Sequence, residues 1–323
     1  MSRTKQSSDI SIYAAVLTIF SILILFTISI KAQNVPAQNA PLQSAPIQSD
    51  PAQNAPVPMT ENHNAPREKP ETLTEQKSII KKQTENGHQP KKPHKVLIII
   101  IDDVGYNLFQ LEPFLQFPGP ISFAILPSLD YTQKAETLIY KAGKEILLHQ
   151  PMEAIGNLDA GPGAIVSTMD DATIQRVIAD NLAQLPLARG VNNHMGSLIS
   201  QDERIMARVL DECRKTGLYY LDSVTIGNSV ARKVARSMHF RIMERTVFLD
   251  NNPDKPSIQK QIREAADIAE KRGYAVMIGH VWSNELAQTL IELYPHLIES
   301  GFNFSTISDF LMEFDDDEFD IGD

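Results

Sequence analysis

One cysteine, Cys213, stands in 323 residues, so an intrachain disulfide framework and a thiolate zinc site are both excluded. It falls in the helical spacing Ile205, Val209, Leu210, Cys213, which predicts core packing on the inward face of a helix rather than a reactive thiol. Basic charge is scarce as well. The formal net charge is −10, and acidity gathers between Glu313 and Asp323. A general nucleic-acid binder needs a basic face for phosphates, so no nucleic-acid partner is expected. A glycine-rich phosphate loop is also missing after the first strand-like segment, where a dinucleotide-binding sheet would carry one.

What is present divides the chain into four parts. Ile12 to Ile30 is a charge-free run rich in Ile, Leu, Val, Ala and Phe, and about 19 such residues suffice to span a bilayer as a helix. Arg3 and Lys5 precede it, Lys31 follows, and no Lys or Arg then occurs before Arg67. That bias predicts a cytoplasmic tip and membrane anchor over residues 1–31, with an inner-membrane-anchored, periplasmic or extracytoplasmic remainder. A cleaved signal peptide, giving a secreted protein, is the other reading, although its apolar region would be shorter. Residues 32–94 are Pro/Gln-rich, with prolines 36, 41, 46 and 51 marking a five-residue repeat. Such a composition has little to bury and predicts a disordered linker. Residues 95–313 alternate strand-like and helix-like segments, and residues 314–323 form an acidic tail whose default role is solvation.

The folded part is organised around Val96-Leu97-Ile98-Ile99-Ile100-Ile101, followed by Asp102-Asp103-Val104-Gly105. An unbroken apolar run with this β-branched content predicts a strand covered on both faces, as in a parallel sheet. Two adjacent carboxylates at its end repel each other and lose hydration. Either a cation sits beside them, or one caps the next helix and the other is solvated. Further strands are predicted at Ile121–Pro127, Glu145–His149, Gly190–Gly196, Leu218–Ser223, Val247–Asp250, Ala275–His280 and Asn303–Thr306, with amphipathic helices between them. Seven or eight such units predict an α/β fold, a complete or distorted β/α barrel, with an open doubly wound sheet as the alternative.

Polar residues recur at the carboxyl ends of these strands: Asp102 and Asp103, His149 and Glu153, His194, Asp222, Asp250 and His280. A barrel gathers those ends on one face. Carboxylate oxygen with imidazole nitrogen suits a catalytic divalent ion, zinc being the expected one. Taken singly, each histidine can equally be a hydrogen-bonded structural residue and each aspartate a helix cap. Their co-occurrence at matching positions favours the ion. His239 and His296 fall in helical or connecting segments, and His63, His88 and His94 in the linker, so these five are read as structural or solvated.

The strings Ile-Ile-Ile-Asp-Asp-Val-Gly (99–105), His-Gln-Pro-Met-Glu (149–153), Gly-Val-Asn-Asn-His-Met-Gly-Ser (190–197), Tyr-Leu-Asp-Ser (220–223), Phe-Leu-Asp-Asn (248–251) and Ile-Gly-His (278–280) resemble, in order and spacing, the divergent polysaccharide deacetylase family. This is a branch of the deacetylases with a NodB-like distorted β/α barrel. The resemblance implies that Asp102 is the general base, that Asp103 and His149 are metal ligands, and that His280 protonates the leaving group with Asp222 orienting it. Conventional members place a second histidine four residues after the first, where this chain has Glu153. They also carry an arginine motif where Asn192-Asn193-His194 stands here. His194 is therefore expected to take the vacated coordination position. Glu153 is expected to hold an imidazole or to ligate the metal itself, and Asn193 and Asp250 to face substrate. The implied activity is metal-assisted hydrolysis of N-acetyl groups on a peptidoglycan-like or other N-acetylated envelope polysaccharide, at a membrane reached through the N-terminal helix. The departures from the family pattern keep open a catalytically degenerate module that binds glycan or an envelope protein.

Overall fold

The computed structural model describes residues 94–156 and 158–313. The predicted anchor, linker and acidic tail lie outside the described residues. Among the described residues no helix is long and apolar enough to cross a membrane.

The elements alternate along the chain: β1 (Val96–Val104), α1 (Glu112–Leu115), β2 (Ser122–Ile125), α2 (Thr132–Lys141), β3 (Glu145–Met152), α3 (Asp171–Leu182), β4 (Gly190–Met195), a 3-10 turn (Ile199–Gln201) and α4 (Glu203–Thr216). Then follow β5 (Tyr219–Asp222), α5 (Ala231–Ser237), β6 (Met243–Glu244), β7 (Val247–Phe248), α6 (Lys255–Arg272), β8 (Tyr274–His280), α7 (Asn284–Glu299), β9 (Asn303–Ser305) and α8 (Ile307–Glu313). Asp170, Asp202 and Asp254 start α3, α4 and α6 by accepting from the backbone N–H of Thr173, Ile205 and Ser257, which satisfies donors that the first helical turn leaves free. The two-residue β6 carried no sequence signal and brings the strand count to nine.

All strand pairs are parallel, in the order β6-β5-β4-β3-β2-β1-β8-β7, with β9 added beside the start of β1. The edge strands β6 and β7 are joined by Arg245 and Thr246 alone. Three virtual bonds reach at most about 11 Å, whereas eight strands laid flat would separate the edges by about 33 Å. The sheet therefore curls until its edges nearly meet, giving a parallel barrel left open between β6 and β7.

Alternation along β1 then fills two cores. Leu97, Ile99 and Ile101 point outward to the helices, where Ile178, Ile205, Cys213, Ile262 and Leu286 pack against the sheet. Val96, Ile98 and Ile100 point inward and meet Leu147, Leu221, Val276 and Ile278, with Ile307 and Phe310 of α8 closing the interior. Cys213 is buried, and burial pushes its thiol up to about 12, in keeping with a packing role. The chain enters β1 at the end that α8 closes, where Asn303 N–H donates to the Lys95 carbonyl (2.8 Å). The opposite end of the barrel carries the polar residues.

Candidate active site

The inward row of β1 runs Val96, Ile98, Ile100, Asp102, so its last member leaves the apolar interior as a carboxylate that is 2% exposed. Asp103 should point outward by the same alternation. It does not, because the strand is irregular there: Ile101 pairs with Phe123 but Val104 with Ile125, one more residue on β1 than on β2. Asp103 takes φ +64°, a left-handed conformation costing an L-residue about 1–2 kcal/mol. That bulge turns both neighbouring carboxylates to one side.

The paired strands bring the other groups to them. Asp102 lies opposite His280 in the β1–β8 register, and His149 opposite Asn192 in β3–β4. Gly279 precedes His280 because a Cβ there would sit 2.2 Å from Leu286 Cδ2, so α7 packs directly on the backbone of β8. His149 Nε2 is 3.3 Å from Asp103 Oδ1, His194 Nδ1 is 3.0 Å from the same oxygen, and the two imidazole nitrogens are 3.2 Å apart. Asp103, His149 and His194 are the one group among the described residues whose donor atoms converge as a metal site. Asp102 stands beside it, Oδ2 lying 3.8 Å from His149 Nε2.

The fit to a divalent ion is testable on this geometry. A tetrahedral ion with bonds of about 2.0–2.1 Å spaces its donors by about 3.4 Å, close to the three separations of 3.0–3.3 Å. Asp103 Oδ1 is buried and makes no hydrogen bond of good geometry while facing both imidazoles. Asn192 completes the arrangement. Its Oδ1 lies 2.8 Å from His149 Nδ1 and its Nδ2 donates to Asp102 Oδ1 (2.8 Å). An amide oxygen only accepts, so His149 in its neutral form keeps its proton on Nδ1 and offers the Nε2 lone pair to the cluster. The residues present fit the ion. Asn192→Ala is expected to weaken metal binding by about 10–100-fold, measured by competition with a chromogenic chelator.

The two carboxylates are electrostatically unlike. Burial raises the Asp102 pKa and prevails over the opposing pull of His149 and His280. Burial also acts to raise Asp103, but the two imidazoles outweigh it and hold that carboxyl well below the usual range. For His149 burial acts downward, and Asp102 and Asp103 draw it up. Neighbouring carboxylates driven apart in this way suit different tasks.

His280 is held from three sides. Asp250 accepts from its backbone N–H (2.8 Å) through Oδ2, and Asp250 Oδ1 lies 2.9 Å from its Nδ1. The rings of Phe248 and Trp282 each stack on it, at centroid distances of 5.8 and 5.2 Å. Burial lowers the His280 pKa, but the Asp250 hydrogen bond and charge overcome it and lift it to about 9 from 6.5. The ion pair therefore contributes stability that is complete below about 6.5 and is lost as the pH rises through about 9. Asp250→Asn is expected to drop the His280 midpoint by roughly 1–3 pH units, read from imidazole NMR signals.

The sequence-predicted residues separate on this geometry. Asp102, Asp103, His149, His194 and His280 come together. Asp222, expected beside His280, is elsewhere: its Oδ1 accepts from Val224 N–H and its Oδ2 from Ser229 Oγ, and Asp250 has the expected place. The Asp250 side chain, expected to face substrate, is fully covered. Asn193, also expected to face substrate, is 1% exposed and is tied to Ser223 N–H and the Met195 carbonyl. Glu153 holds neither imidazole: its Oε2 accepts from Ser167 N–H (2.6 Å), and it is absent from the converging donor group. Asn192, which bridges His149 and Asp102, was not singled out, because an asparagine at a strand end carries no signal by type alone. His239 and His296 are exposed, as expected of solvated residues.

A curled parallel barrel with carboxylates and imidazoles gathered at the carboxyl ends of its strands places the protein in the NodB-like class of β/α barrels. The family model for divergent polysaccharide deacetylases matches residues 99–311, and the chain belongs to that family. The uncharacterized protein YibQ of Escherichia coli (strain K12) is 34% identical over 184 residues, which cover 57% of this chain and 58% of YibQ. An uncharacterized protein of Haemophilus influenzae is 34% identical over 191 residues, or 59% of this chain and 68% of that protein. The crystal structure of an uncharacterized protein from Agrobacterium tumefaciens C58 superposes with a TM-score of 0.65 at 18% identity, covering 71% of this chain and 94% of that one. At that identity the likeness speaks for the fold.

Proposed function

We propose that the protein is a metal-dependent hydrolase that removes N-acetyl groups from a cell-envelope glycan such as peptidoglycan. The observation that carries this reading is the convergence of Asp103, His149 and His194 beside a buried carboxylate, Asp102, which in turn lies opposite a protonated imidazole, His280. The three ligands would hold a divalent ion, zinc by the choice of carboxylate and imidazole donors, and when bound it supplies Lewis-acid polarisation of the acetyl carbonyl and a more acidic water. Asp102 accepts the proton of the attacking water, its raised pKa bringing it nearer the working pH of a base. His280 carries its proton at neutral pH because its pKa is about 9. As the C–N bond breaks, that proton passes to the departing amine and acetate leaves. Asp250 keeps the imidazole oriented and stabilises its charged form. The charge-free run Ile12–Ile30 supports a place for this domain on the periplasmic side of the inner membrane.

The full-length chain, purified without chelator, is expected to hold stoichiometric zinc and to release acetate from N-acetylglucosamine oligomers or peptidoglycan. Stripping the metal should abolish release and restoring it should recover release. Metal-loaded protein that frees no acetate from either substrate would refute the hydrolase reading.

A further inference from the structure

The chain has a single tryptophan, Trp282, and it stands two residues beyond His280. Its indole is stacked on the imidazole with an interplanar angle of 16°, yet the residue is 47% exposed. With one face covered by His280, that exposure lies on the other face and the edges. The position is built rather than incidental. Val281 N–H donates to the Asp102 carbonyl (3.0 Å) and Ser283 N–H to the His280 carbonyl (3.1 Å), so backbone bonds on both sides fix the residue between them. His280 also stacks on Phe248, and the Arg245 guanidinium lies 3.8 Å from the centre of the Phe248 ring. Arg245 is anchored in turn on the carbonyls of Ser223 and Val224. A second exposed aromatic, Tyr106 at 58%, lies directly after Gly105 on the neighbouring rim loop, since β1 and β8 are adjacent.

An indole stacked on the proton-donating imidazole, half exposed and with a second exposed aromatic on the neighbouring rim loop, presents a large apolar plate with a polar edge beside the reacting group. We infer that the free face of Trp282 is a stacking platform for a pyranose ring of an N-acetylated glycan, which sets the sugar beside His280. This deepens the deacetylase reading and rests on it for the identity of the ligand. A pyranose presents axial C–H groups on its ring face and hydroxyls around its edge. It therefore suits an apolar plate rimmed by polar groups, and a ring already ordered by stacking loses little freedom on binding.

The lone tryptophan makes the platform its own reporter. In the full-length chain, a tetramer of N-acetylglucosamine is expected to blue-shift and change the intensity of indole emission in a saturable way. Calorimetry with the same tetramer should show binding weakened about tenfold or more in Trp282→Ala and Trp282→Leu, and largely kept in Trp282→Phe. In turnover, the Ala and Leu variants should raise KM by a similar factor. A tetramer that leaves wild-type emission unchanged at saturation overturns the platform, as does Trp282→Leu binding as tightly as wild type with an unaltered melting temperature. Saturable emission change without acetate release removes the catalytic reading and leaves the platform standing. Acetate release with a KM indifferent to Trp282→Leu removes the platform and leaves the catalysis.

Discussion

His194→Ala protein should emerge from purification without stoichiometric divalent metal, as measured by inductively coupled plasma mass spectrometry beside wild type. A catalytic zinc position needs about three protein ligands, and the geometry supplies three donors that converge, Asp103, His149 and His194. Removing His194 leaves two, and among the described residues no other group of three donors converges as a metal site. Glu153 is held by Ser167, and Asn192 faces His149 through the nitrogen remote from the cluster. The fold should tolerate the change, since the His194 side chain is 17% exposed at the edge of the barrel mouth. Acetate release should fall to the background set by residual metal. Stoichiometric zinc in this variant would remove His194 from the ligand set and return the fourth-residue position, Glu153, to contention.

Asp102→Asn is expected to do the opposite: metal content stays at the wild-type level while turnover drops by about 10²–10⁴. The substitution preserves shape and the local bond. Asp102 Oδ1 accepts from Asn192 Nδ2, and an asparagine can turn its own amide oxygen to that donor. What disappears is the capacity to take a proton. The pair of variants therefore separates two carboxylates that are neighbours in the chain, and metal loss in Asp102→Asn, or unimpaired kcat, would undo the division of labour between them.

How much of this could be read beforehand depended on the distance over which each signal acts. The strand Val96–Ile101 announced itself through six consecutive apolar residues, and periodicity placed amphipathic helices between the strands. Strand-end polarity was equally local, so Asp102, Asp103, His149, His194 and His280, which the structure brings together, could each be singled out. The turn of Asp103 into the same pocket as Asp102 was not legible, because a one-residue bulge leaves no mark in side-chain type. Asp222 was preferred to Asp250 for a related reason. Asp222 and Asp250 both stand at strand ends, but β7 lies beside β8 whereas β5 is not its neighbour, and lateral strand order is a property of the whole sheet rather than of any window. Asn192 shows the same limit at the scale of one atom: its value lies in having an acceptor toward His149 and a donor toward Asp102 at once.

The closed end of the barrel has a consequence for how the protein meets its surroundings. Because β1 starts at the base that Ile307 and Phe310 of α8 close, the histidines stand at the other end of the strands, where only the loops that follow β1, β3, β4 and β8 surround them. The mouth is thus the free pole of the domain.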